Sequence, residues 1–188
     1  MKKIIFLFLI FSILSCQPVE KLDTIVFDNN QLSKFDILSN TIEINEIFEK
    51  KFSEPFIGHT IEVDPAQRII NWLNDNFRAI GNENVFVISI IDASLTQTEF
   101  ENIEAKNFDE KTNYKYELFY LLEFTLLDNS QNLIATTLVE ATRSTTSGLH
   151  ISIHEKENII NDLVHQTLND LSFEANILVK QYMKDFIL

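Results

Sequence analysis

Histidine, carboxylate, hydroxyl and thiol side chains are where chemistry would begin, and this chain of 188 residues gathers few of them at useful spacings. His150 and His154 lie four apart with Glu155 and Glu157 close by, residue types that ligate divalent metals. His150 precedes the helix start expected at Ser152, so the two imidazoles need not share a face. There is no third ligand in register, no HExxH run and no cysteine pair. No metal site is expected. Ser144, Thr145, Thr146 and Ser147 cluster hydroxyls beside Arg143, but no GxSxG elbow is present and Gly148 has no serine at the required spacing. Gly58, Gly81 and Gly148 lie too far apart to cradle a phosphate. Glu117 and Glu123 read as solvated carboxylates on a mixed strand face. The chain is therefore expected to be non-catalytic, with no catalytic residue and no cofactor. One nucleophile remains: Cys16, the single cysteine, whose thiolate could be acylated.

What precedes Cys16 gives that thiol a setting. Met1 is followed by Lys2 and Lys3, then by an apolar run from Ile4 to Leu14 broken only by Ser12. Eleven residues rise about 16 Å as a helix, against a hydrocarbon core of about 30 Å. The run is too short to span and reads as the apolar region of an export signal. It ends Ile13-Leu14-Ser15-Cys16, which resembles the lipobox of bacterial lipoproteins. That resemblance implies cleavage before Cys16 and lipidation of its thiol, with two or more acyl chains giving stable attachment to a bilayer. Gln17 stands where many Gram-negative lipoproteins carry an aspartate that retains them at the inner membrane, so the resemblance implies the outer membrane.

The expected layout is then residues 1–15 as a lipoprotein-type signal peptide, 16–31 as a lipidated tether, and 32–188 as one periplasmic domain. Without its first fifteen residues the chain keeps 13 basic residues against 28 acidic ones, a net charge of −15. A pI near 4.6 argues against nucleic acid, whose phosphates are met by clustered Lys and Arg. A lone cysteine leaves no intrachain disulfide, so the domain must rely on its packed core. The acidic surface also suits a body that projects away from anionic head groups.

Hydrophobic periodicity supplies the elements. Thr24–Phe27 could form a short strand, and Ile42, Ile44 and Ile47 suggest a first strand over 40–48 that bends near its end. Asp64-Pro65-Ala66-Gln67 reads as a capped helix start, with Asp64 as cap, Pro65 at the first position and Gln67 completing a capping box. Ile69, Ile70, Leu73, Phe77 and Ile80 would form the apolar face, with Trp72 and Asn76 at its border and Gly81 as terminator. Phe86, Ile88 and Ile90 against Val87 and Ile91 predict an interior strand over 85–91, followed by a polar connection over 93–113. From Tyr114 to Leu126 every second residue is apolar, a long strand with a bulge or strong twist. Asp128–Asn132 supplies a turn, and 133–142 returns as the hairpin partner. A stripe from Ile160 to Phe186 follows the Ser152 cap, a helix of about 50 Å that overhangs the sheet. The order β-α-β-β-β-α predicts an α+β two-layer sandwich: two amphipathic helices on a mostly antiparallel sheet of about four strands.

The segments WLNDNFRAIG (72–81) and FVISIIDASL (86–95), the hairpin from Tyr116, and ISIHEKE leading into the last helix together resemble a family of small uncharacterised lipoproteins of alphaproteobacteria. In architecture the chain is more distantly similar to auxiliary lipoproteins of envelope transport, including the plug lipoprotein of lipopolysaccharide export. Both likenesses imply an accessory role and transfer no catalytic residue. The expected function is a lipid-anchored adaptor or assembly and transport accessory, joined to the membrane through acyl chains on Cys16 and to an envelope protein partner. The alternative rests on sixteen Phe and four Tyr: a carrier that holds a lipid or other apolar ligand in a groove between sheet and helices.

Overall fold

A computed structural model describes residues 28–62, 64–103, 105 and 111–188. The candidate strand at Thr24–Phe27, the signal segment and Cys16 lie outside the described residues. Eight regular elements follow in order: β1 (Phe35–Ile37), β2 (Thr41–Glu46), α1 (Pro65–Asn76), β3 (Phe77–Ala79), β4 (Val85–Glu101), β5 (Thr112–Leu127), β6 (Leu133–Gly148) and α2 (Ile153–Tyr182). Strands β2, β4, β5 and β6 form one sheet in that order. The β2–β4 pair is parallel, connected through α1, and the other two pairs are antiparallel. Two helices packed on a mostly antiparallel four-stranded sheet make the α+β architecture that the periodicity predicts. The short β1 and β3 pair in parallel as a second, two-stranded sheet, an addition to the expected order of elements.

Alternation in β5 places Tyr116, Leu118, Tyr120, Leu122, Phe124 and Leu126 in the core, all fully buried, while Tyr114 is half-buried at the strand's start. The strand over 85–91 does not stop there. Ile91 is an extra residue between Ile90, opposite Leu122, and Asp92, opposite Leu121. This bulge moves the core row from Phe86, Ile88 and Ile90 to Ala93 and Leu95, and the strand continues to Glu101. The expected connection over 93–113 is thus largely strand. The return strand likewise runs to Gly148 instead of ending at residue 142.

The first helix is shorter than expected. Asp64 caps it by accepting from the Ala66 N–H at 2.8 Å, and Pro65 sits in the first turn. Gln67 does not close a capping box; its amide donates to Asn71 four residues on. The helix ends at Asn76 because Phe77 pairs with Phe35 across β1 and β3, their rings stacked at 4.4 Å. Trp72 lies in the centre of the core, not at its border, whereas Ile80 is exposed. Gly81 does not terminate the helix by a left-handed turn, since no glycine has positive φ among the described residues. It allows close approach: a Cβ there would stand 2.6 Å from the Leu38 carbonyl carbon and 2.8 Å from the Ser39 nitrogen.

Ser152 caps α2 by accepting from the Glu155 N–H at 3.1 Å. Ile160, Leu163, Val164, Leu168, Leu171, Ala175 and Val179 are buried along one stripe. The far end does not overhang: Met183 is buried, and the tail returns so that Leu188 N–H donates to the Asp36 carbonyl and Ile187 bridges Ile37.

Candidate functional site

Among the described residues, the chemically able side chains are not brought together. His150 lies in the bend after β6, and His154 sits in the first turn of α2 within 3.2 Å of the Asn158 amide. Among the described residues, no three of His, Cys, Asp and Glu are placed to hold a metal ion. Ser147 is buried under the sheet's end, its hydroxyl 3.2 Å from that of Tyr116, so the hydroxyl run belongs to β6 and not to a loop. Glu117 and Glu123 share a strand face six residues apart, about 20 Å, too far for paired acid–base work. Among the described residues, no helix is long and apolar enough to cross a membrane.

Phe35, Trp72, Phe77, Phe86, Tyr116, Tyr120 and Phe124 are packed in the core, whereas Phe173 is exposed. Phe77 stacks on Phe86 and Phe124 at 6.5 and 5.9 Å and meets Trp72 edge-on at 5.4 Å. Below them Tyr120 is fully buried, its hydroxyl donating to the Pro65 carbonyl at 3.3 Å and held far above its ordinary pKa by burial. Arg68 reaches this layer from α1, and burial lowers its guanidinium pKa to about 10. These are contacts that lock α1 to the sheet.

An accessible concavity lies along the outer edge of β6. A cleft of about 660 Å³ is lined by Leu121, Leu138 and Glu140 on one side of that strand and by Asp170, Phe173, Glu174 and Leu178 of α2 on the other, with Ala141 and Thr142 between. Leu138 and Phe173 are exposed. The helix is fixed over the strand by Arg143, whose guanidinium donates to both carboxylate oxygens of Asp170 and, at 2.8 Å, to Gln166. The Asp170 carboxylate holds the Arg143 pKa above its ordinary value, first by hydrogen bonding and then by charge. Asp170 is thereby satisfied, while the side chains of Glu140 and Glu174 have no hydrogen-bond or ion-pair partner among the described residues. No sequence signal pointed to these residues, because a cleft at a sheet edge depends on which strand ends up outermost.

The class defined by this geometry is an α+β sandwich with an open edge and a ring-filled core. No protein-family model matches the chain, and no curated protein matches it. Similar solved structures include a minor lipoprotein from Acinetobacter baumannii, 12% identical, covering 80% of this chain and 96% of that one at a TM-score of 0.41. Rare lipoprotein B from Shewanella oneidensis is 18% identical over 76% of this chain and 98% of its own, at 0.40. A homolog of the neuraminyllactose-binding hemagglutinin from Helicobacter pylori is 11% identical over 86% and 96%, at 0.45. At such scores neither residues nor roles carry across.

Proposed function

We propose that this chain is a non-catalytic, lipid-anchored protein of the bacterial envelope, tethered through acyl chains on Cys16 and serving as an adaptor or assembly and transport accessory. Its body faces the periplasm, and Gln17 favours the outer membrane. The observation that carries the reading is the run Lys2-Lys3, Ile4 to Leu14, Ser15-Cys16: a basic start, an apolar stretch too short to span, and a unique thiol behind a small residue. A packed core and an open, acid-flanked edge suit a binding body. The test is growth with radioactive fatty acid. The full chain should take up label, and Cys16→Ala should take up none and leave the membrane fraction. Equal label in both would contradict the anchor.

A carrier role is the second reading, and the cleft beside β6, with Leu121, Leu138, Phe173 and Leu178 in its walls, is what favours it. Native mass spectrometry distinguishes the two, since a carrier brings a non-covalent lipid with it and an adaptor does not.

A further inference from the structure

The sheet has two edges, and β6 is the long one. It runs for 16 residues with β5 on one side and, among the described residues, no strand on the other. In an edge strand, alternate backbone N–H and C=O groups point outward with no ladder partner. Proteins blunt such edges with proline, charged side chains or brevity; β6 is long, has no proline or lysine between Leu133 and Gly148, and of its two charges Arg143 is engaged by Asp170. The cleft wraps this edge at residues 138–142, so an added strand would send alternate side chains to two different walls. One wall offers Leu121 and Leu138 with Glu140; the other offers Phe173 and Leu178 with Glu174. Each wall sets apolar side chains beside a carboxylate that has no partner among the described residues.

We propose that the β6 edge at 138–142 is a strand-addition site for an extended segment of a partner protein, with apolar residues at its centre and lysine or arginine flanking them. Backbone hydrogen bonds to β6 supply the register, Leu138 and Phe173 take the apolar side chains, and Glu140 and Glu174 pair with the basic ones. Charge selects against a second copy of this chain as the occupant. Another β6 would bring its own Glu140 toward this one, on a chain that already carries a net −13.

This deepens the adaptor reading and rests on it, but its test is separate from the anchor at Cys16. The full chain in detergent is titrated with a synthetic hexapeptide whose central Val-Ile pair is flanked on each side by Lys and Thr, and with the same peptide carrying Glu for Lys. Hydrogen exchange is followed across β6. The lysine peptide should slow the outward amides of 138–142 by about tenfold, and the glutamate peptide should not. In the double reversal E140K/E174K, at one exposed and one half-buried position, the preference should swap. Phe173→Ser, also on the surface, should weaken binding of the lysine peptide with the unfolding midpoint unchanged. Equal protection by both peptides, protection that survives the reversal, no protection at 138–142, or protection that rises with protein concentration alone would each overturn the proposal. A failure here leaves fatty-acid labelling at Cys16 untouched, so the two readings fall independently.

Discussion

The two edges of one sheet have been treated in opposite ways. On the β2 side the edge strand is short, and a further segment continues the border beyond it. That strand is only six residues long, and where it ends the segment around Phe56 takes its place beside β4: Ile57 N–H donates to the Leu95 carbonyl at 2.9 Å and Gln97 N–H to that of Pro55 at 2.8 Å. Behind it, α1, β1 and β3 stack Trp72, Phe35 and Phe77 against the sheet. On the β6 side a strand of 16 residues has no strand beside it among the described residues, and α2 only partly roofs it through the Arg143–Asp170 fork. The lesson is a division of labour. Substitutions on the closed side are read out as lost stability, and those on the open side as lost binding.

The sharpest way to break this comparison is Trp72→Ala. The indole is wholly buried, so removing it should cost about 3–5 kcal/mol, seen as a lower urea midpoint. A cost near zero would mean the closed side is not the core. Next comes Gly81→Ala. The added Cβ meets backbone of Leu38 and Ser39, which cannot step aside as a side chain tip would, and about 1–3 kcal/mol should be lost by the same measurement.

A smaller effect belongs to the turn that leads into β6. The Asn132 side chain and then its backbone N–H donate to Asp128, holding this carboxyl below its ordinary pKa. A carboxyl more acidic folded than unfolded adds stability above the ordinary carboxylate range and loses it as pH falls through that range, below about pH 4. Urea midpoints taken from pH 6 downward should therefore fall less steeply in Asp128→Asn than in the parent chain. Smallest of all is Leu138→Ser on the open side. Its stability change should stay within about 0.5 kcal/mol, while the lysine peptide loses affinity. A large loss of stability would show that Leu138 belongs to the core.

Much of the core was legible because its signals are local. The apolar row of β5, the Asp64 and Ser152 caps and the stripe of α2 are readable from spacing alone. What escaped is what tertiary contacts decide. The bulge at Ile91 shifts the period by one residue, so a strand that continues to Glu101 looks like a strand that ends. Phe77 fits a helical face as well as it fits β3, and only its stacking on Phe35 selects the strand. The open side was not legible at all. Leu138 and Phe173 are ordinary surface-strand and helix residues until the strand order makes β6 outermost. The unique thiol at position 16 was the reverse case, fully visible in sequence and lying outside the described residues.

The most direct measurement is the intact mass of the protein extracted from membranes of cells that express the whole gene product. A species that begins at Cys16 and is heavier than residues 16–188 by the mass of its acyl groups is the predicted result. A membrane-extracted species that retains residues 1–15, or that starts at Cys16 with a bare thiol, would contradict the account.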